Sequence, residues 1–72
     1  MPHASFYFDR ALNYERVDDY ENAIQDYDRA IQLDPNFATA YNNRSDAYYN
    51  LAKYAEADAD KAKACSLDKQ YC

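Results

Sequence analysis

The 72-residue chain carries a net charge of −5 and contains neither glycine nor tryptophan. A chain of this length buries only ~60% of the surface that its unfolded form exposes, so its core is thin and a deep active-site pocket is hard to build. The negative charge argues against nucleic-acid binding, which needs a basic surface, and the missing glycines argue against a phosphate-binding loop.

Four helices are predicted along the chain, because residues recur at steps of three and four. The recurring residues are Tyr7, Arg10 and Tyr14, followed by Tyr20, Ala23, Tyr27 and Ala30. We expect helices over about 4–17, 20–33, 38–51 and 54–67. Short turns at 18–19 and 52–53 require the two helices of each half to lie antiparallel. Asp34 and Pro35 end the second helix, because proline disfavours a helical conformation in the residue before it.

The two halves are copies of one 34-residue unit. Of the 38 positions that can be compared at this shift, ten are identical. The identical pairs are Ala4/Ala38, Tyr7/Tyr41, Arg10/Arg44, Tyr14/Tyr48, Tyr20/Tyr54, Ala23/Ala57, Asp26/Asp60, Ala30/Ala64, Leu33/Leu67 and Asp34/Asp68. Small residues fall where the helices of a pair would touch, and tyrosines would fill the space around them. These small residues are Ala11, Ala23, Ala30, Ser45, Ala57 and Ala64.

The unit resembles the tetratricopeptide repeat. The residues that carry the resemblance are Tyr7, Ala11, Tyr14, Ala23, Tyr27, Ala30 and Pro35, then Tyr41, Ser45, Tyr48, Ala57 and Ala64. Two departures stand out: glycine is missing throughout, and Lys61 and Lys69 replace an aromatic residue and a proline in the second unit. The resemblance implies an all-α fold of two tandem helix–turn–helix units, an α-solenoid fragment of four antiparallel helices. The chain is then a single domain over 1–72, with repeat one at about 4–37 and repeat two at about 38–71.

The last helix is more polar than its counterpart in the first unit. Asp58 and Lys61 replace Ile24 and Tyr27, and Cys65 replaces an isoleucine. The terminal helix of a solenoid needs a polar outer face to remain soluble. We therefore expect a cap at this end, with a fragment cut from a longer array as the alternative.

The resemblance implies a protein-interaction module that binds an extended peptide on the concave face of the first helix of each unit. The groove residues carried over are Phe8, Asp9, Leu12, Asn42, Asn43, Asp46, Tyr49 and Asn50. Phe8, Leu12 and Tyr49 are expected to lie outside the intra-unit core, whereas Glu15, Arg16 and Thr39 are interpreted as ordinary exposed residues. Only Asn43 matches the carboxylate clamp of some relatives. With aspartates beside its apolar groups, the groove should prefer an apolar or basic partner.

Other candidate sites are weak. His3, the only histidine, has no neighbouring cysteine or carboxylate cluster, and the acidic pairs Asp18/Asp19 and Asp58/Asp60 are interpreted as turn and solvated residues. We therefore expect no catalytic or metal site and no cofactor. The cysteines are seven residues apart, which fits neither a metal site nor a disulfide framework, so they are interpreted as reduced thiols.

Two alternatives to peptide binding remain open. The chain could be a self-associating structural protomer, because nothing covers Phe6 and Val17 at the first unit and Cys72 could crosslink two copies. It could also be an excised or designed repeat fragment without its own activity. The longest apolar run is far shorter than the ~20 residues of a membrane span, and no signal peptide is visible. The sequence thus predicts an intracellular, cytoplasmic protein without membrane contact.

Overall fold

The computed structural model describes residues 3–72, which form four α-helices and a short 3-10 helix at the C-terminal end. The helices are α1 (Ala4–Arg16), α2 (Tyr20–Leu33), α3 (Ala38–Asn50) and α4 (Tyr54–Leu67), followed by the 3-10 turn Lys69–Tyr71. Each α-helix lies within one residue of its predicted bounds, and no strand occurs in this part of the chain. The predicted all-α class is confirmed. No helix in residues 3–72 is long and apolar enough to cross a membrane.

Neighbouring helices in the chain pack on one another, so α2 lies between α1 and α3, and α3 lies between α2 and α4. The turns within the two units have the same backbone shape. Asp18 has a φ of 60° and Ala52 a φ of 59°, the left-handed region in which glycine is normally preferred. This conformation costs a residue with a Cβ roughly 1–2 kcal/mol, so both turns carry strain that a glycine would avoid. The side chain of Asp19 then caps α2 by accepting from the Asn22 amide at 3.4 Å.

Small side chains fill the contacts between helices. All six residues predicted to lie at these contacts are buried, and Ala40 and Ala47 of α3 are buried as well. Tyr27 is the only large side chain that is fully buried among residues 3–72. At Ser45, which stands where the first unit has an alanine, the hydroxyl donates to the Ala57 carbonyl at 2.7 Å. The polar atom is therefore satisfied inside the second pair.

An arginine–aspartate ion pair links the two helices of each unit. Arg10 holds Asp26 with bonds of 2.7 and 2.9 Å, and Arg44 holds Asp60 with two bonds of 2.7 Å. Both aspartates are buried. The interpretation of Asp60 as a solvated residue is therefore wrong, because its carboxylate is held in a two-point contact with a guanidinium that replaces its hydration.

The C-terminal turn repeats the turn that joins the two units. Asp34 accepts from the amide of Asn36 at 3.1 Å, and Asp68 accepts from the amide of Gln70 at 3.0 Å. Hydrogen bonds from the side chain and backbone of Gln70 lower the pKa of Asp68. The matching geometry places residues 69–71 where residues 35–37 lie in the first unit.

Cys65 and Cys72 form a disulfide, and residues 3–72 contain no free cysteine. The expectation of two reduced thiols is wrong. Spacing along the chain did not reveal the bond, because the C-terminal turn folds back and brings the two Cα atoms to 4.6 Å, within the range that a disulfide spans.

Replacing Ala23 by Leu should destabilise the domain by ~1–3 kcal/mol, because the added methylene and methyl groups have no space between α1 and α2. Thermal unfolding followed by circular dichroism measures the change. Ala59→Leu is the matched control, since Ala59 is exposed on α4 and should change stability by only about 0.5 kcal/mol or less. Equal melting temperatures for the two variants would contradict the packing described above.

Arg44→Gln should cost about 2–4 kcal/mol, because it leaves the buried carboxylate of Asp60 without its partner. Arg10→Gln should cost less, since the Arg10 side chain is 49% exposed and that of Arg44 only 17%. Urea unfolding of both variants tests this order, with the exposed Arg16→Gln as a control. Equal losses at Arg10 and Arg44 would show that the difference in burial has no energetic consequence.

Candidate functional site

The predicted groove residues lie on α1 and α3, which point in the same direction because α2 runs antiparallel to both. Asp9, Asp46, Tyr49 and Asn50 are exposed, whereas the remaining predicted groove residues are half-buried. The half-buried members are Phe8, Leu12, Asn42 and Asn43. Residues 3–72 form no enclosed pocket.

Phe8 contributes to the core. Its ring stacks on Phe37 at 4.9 Å between centroids and lies 5.8 Å from the ring of Tyr27. The expectation that Phe8 stands outside the core is therefore wrong. The reason is tertiary: Tyr27 of α2 meets Phe8 within the first unit, and the linker between the units brings Phe37 against it.

The same place in the second unit is polar. Asn42, Lys61 and Tyr71 stand 34 residues after Phe8, Tyr27 and Phe37, respectively. Lys61 Nζ donates to Asn42 Oδ1 at 2.7 Å and lies 6.0 Å from the centroid of the Tyr71 ring.

The Tyr71 hydroxyl meets Thr39 Oγ1 at 2.7 Å. The interpretation of Thr39 as an ordinary exposed residue is wrong, because this side chain is engaged and the residue is half-buried. Sequence reasoning also missed Tyr71, although the 34-residue repeat aligns it with Phe37. The signal was available, because two aromatic residues occupy the same position of the unit.

The carboxylate of Glu15 on α1 is influenced by that of Asp46 on α3. The Tyr27 hydroxyl donates to Glu15 Oε1. Burial raises the pKa of Glu15, the bond from Tyr27 lowers it, and the negative charge of Asp46 raises it further. Burial also raises the pKa of Tyr27, with the bond to Glu15 as the second cause. The interpretation of Glu15 as an ordinary exposed residue is therefore wrong, because it is half-buried and electrostatically coupled to Asp46.

No ion pair among residues 3–72 neutralises these carboxylates. The three salt bridges in this part of the chain use Arg10 and Arg44 with Asp26, Asp28 and Asp60. Glu15 and Asp46 also lie near the C-terminal ends of α1 and α3, where the helix dipoles add partial negative charge. We refer to the surface formed by Glu15, Asn43, Asp46 and Tyr49 as the acidic end of the groove.

Tyr49 supplies an exposed aromatic surface at this end. Its side chain is 65% exposed, and its ring packs edge-on against Tyr54 at 5.1 Å. The expectation that Tyr49 lies outside the core agrees with this exposure. Asn50 is engaged locally, because its side-chain amide donates to the Asp46 carbonyl at 2.8 Å.

Of the three residues predicted for self-association, two are exposed and the third is in a disulfide. Phe6 and Val17 are 51% and 72% exposed. Cys72 is bonded to Cys65 and offers no free thiol for a crosslink between copies. His3 precedes α1 and is exposed. Residues 3–72 contain no group of three or more His, Cys, Asp or Glu side chains that could hold a metal ion.

Comparison with known proteins agrees with the repeat architecture. The chain matches the TPR repeat family over residues 18–53 and the tetratricopeptide repeat family over residues 38–71. Human serine/threonine-protein phosphatase 5 is 45% identical over 62 residues, which cover 86% of this chain and 12% of that protein.

Two further relatives are similar over short segments. RNA polymerase II-associated protein 3 of Xenopus laevis is 41% identical over 88% of this chain and 10% of its own length. Stress-induced-phosphoprotein 1 of Caenorhabditis elegans is 38% identical over 72% of this chain and 16% of its own length. The chain therefore spans less than a fifth of each relative. Two family matches that together run from residue 18 to 71, on a pair of helix–turn–helix units with the same spacing, place the chain in the tetratricopeptide repeat family.

Proposed function

We propose that this protein-interaction module binds an extended, apolar and basic segment of a partner protein on the surface lined by α1 and α3. The observation that carries the proposal is the half-buried carboxylate of Glu15, held by Tyr27 beside Asp46 without a cationic partner among residues 3–72. A lysine or arginine of the partner would supply the missing charge. The family supports the coarser statement, since tetratricopeptide repeats are a protein-interaction fold.

The two ends of the groove differ in the side chains that they offer to a ligand. At the acidic end, an exposed tyrosine ring beside two carboxylates favours a cationic side chain next to an apolar one. Towards the other end, Phe8 is occupied by Phe37, and Asn42 is held by Lys61. Binding energy should therefore be concentrated at the acidic end. The remaining predicted residues, Asp9, Leu12 and Asn50, would line the path of the peptide.

An intracellular, cytoplasmic location stays a prediction from the sequence. The disulfide between Cys65 and Cys72 weighs against it, because such bonds persist mainly in oxidising compartments. In a reducing compartment the bond would open, and the C-terminal turn would be held by the hydrogen bonds of Gln70 to Asp68 and by the one between Tyr71 and Thr39.

Fluorescence anisotropy with a pair of short labelled peptides tests the proposal. Both carry leucines at the same spacing, and one has lysines where the other has glutamates. The lysine peptide should bind with a dissociation constant on the order of micromolar or weaker, and the affinity should fall as salt is added. The glutamate peptide should not bind. Equal binding of both peptides would contradict the proposal.

Variants locate the binding site. Glu15→Gln with Asp46→Asn should weaken the lysine peptide roughly tenfold, because charged hydrogen bonds are lost, and Tyr49→Ala should weaken it as well. The matched control is Glu56→Gln with Asp58→Asn, which removes two charges from exposed positions on α4. If the control weakens binding as much as the groove variant does, only the overall charge matters and the site is wrong.

Glu15→Gln alone should raise the melting temperature at neutral pH. The pKa of Glu15 is higher in the folded state than its usual value of 4.5, so its ionised form opposes folding above the raised pKa. This cost fades as pH falls towards 4.5, and the glutamine can still accept the Tyr27 hydroxyl.

The melting-temperature difference between the variant and the parent should therefore shrink between pH 7 and about 4.5. Glu56→Gln, which removes the same charge from an exposed position on α4, is the matched control. A lower melting temperature for Glu15→Gln at neutral pH would mean that the carboxylate stabilises the fold, and that no external cation is needed.

A further inference from the structure

The outer face of α1 corresponds, 34 residues earlier in the chain, to the face of α3 that packs on α2. Each of α1 and α3 packs on the second helix of its own unit, but α3 also packs on the preceding α2. Ala40 and Ala47 of α3 are consequently fully buried. Phe6 and Asn13, their counterparts on α1, are exposed. Val17, at the end of α1, is also exposed, whereas its counterpart Leu51 is half-buried.

Arg10 and Arg44 differ because α2 provides a carboxylate to Arg44 only. Arg44 binds Asp60 of its own unit through Nε and Nη2, and its Nη1 reaches Asp28 of α2 at 2.7 Å. Arg10 binds Asp26 through the same two atoms, Nε and Nη2. Its Nη1 makes no hydrogen bond to any residue from 3 to 72. The guanidinium of Arg10 instead lies 5.3 Å from the exposed ring of Phe6.

We propose that the outer face of α1, formed by Phe6, Arg10, Asn13 and Val17, docks an amphipathic helix of another protein that carries one carboxylate. The carboxylate meets Arg10 Nη1, as Asp28 meets Arg44, and the apolar face of the helix covers Phe6 and Val17. This surface differs from the peptide groove and does not depend on the proposed function.

The size of Phe6 limits which side chain the docked helix can place against it. Ala40, its counterpart, belongs to the buried cluster that includes Tyr27. Phe6 fills the space that a large side chain of the docked helix would need. The partner helix therefore carries a small residue where α2 carries Tyr27.

A second copy of this chain fits the face poorly. In head-to-tail stacking, α4 would take the place of α2, and Ala62 would stand where Asp28 provides the carboxylate. Two α1 helices packed face to face would bring two Arg10 guanidinium groups together. Neither arrangement supplies a carboxylate at the place that Asp28 takes beside Arg44, so the occupant is a helix of different sequence.

The probe is a synthetic peptide with the sequence of residues 19–34 and the change Tyr27→Ala. A hydrocarbon bridge between positions 25 and 29, which are exposed in α2, keeps it helical, and circular dichroism verifies this before use. The peptide is titrated into the isotope-labelled 72-residue chain and followed by NMR. We expect saturable shifts at the amides of Phe6, Arg10, Asn13 and Val17.

Two matched changes test the chemistry. A peptide that also carries Asp28→Asn should bind about tenfold more weakly, because the charged contact to Arg10 is lost. In the protein, Phe6→Ala with Val17→Ser should abolish the shifts, whereas Lys63→Ala, at an exposed position of α4, should leave them unchanged.

Four results would overturn the proposal, the last of them self-association through the same face. The first is no binding up to roughly millimolar peptide. The second is equal affinity of the aspartate and asparagine peptides. The third is a shift pattern at Ala40 or at the acidic end, which would mean exchange with α2 or groove binding. Concentration-dependent dimerisation of the parent chain that Phe6→Ala abolishes would assign the face to a second copy instead.

Discussion

Close approach of helices through alanine is the constraint on which this structure depends. Such contacts supply little apolar area per residue, and Tyr27 is the one large side chain that residues 3–72 bury completely. Interactions around the contacts must therefore contribute to stability. In each unit an arginine grips a buried aspartate, and Arg44 extends this link to the preceding helix through Asp28. Lost hydration limits what such a pair adds to stability. The pair does fix the register, since a shift of one helical turn would leave a buried carboxylate unpaired.

Glu15 and Asp46 have no ion-pair partner among residues 3–72, whereas Arg10 and Arg44 are used within the fold. The charge of Asp46 acts on Glu15. The two helix C-termini add to the negative potential there. Arg10, by contrast, retains a donor without a partner among the same residues, on the outer face of α1. The two surfaces that we propose for binding therefore have opposite preferences, one for a cation and one for a carboxylate.

The sequence by itself determined the helices, their pairing and the family. Period and spacing carry this information: steps of three and four place residues on one helix face, and the 34-residue repeat imposes the same fold on both halves. The alanine contacts followed as well, because a small residue that recurs at one position of both units marks a place where two helices come close. The arginine and the aspartate of each pair are identical in the two units, but the repeat alone did not reveal that they bind each other, and Asp60 was interpreted as solvated.

Only the tertiary structure decided which half-exposed side chains make contacts and which residues they contact. Phe8 joined the core because Phe37 folds over it, and Glu15 became half-buried because Tyr27 and α3 converge on it. The disulfide depended on a turn that returns Cys72 to α4. Periodicity assigns a residue to a face of its own helix, but contacts with a linker, a neighbouring unit or a terminal turn depend on how separate segments meet in space.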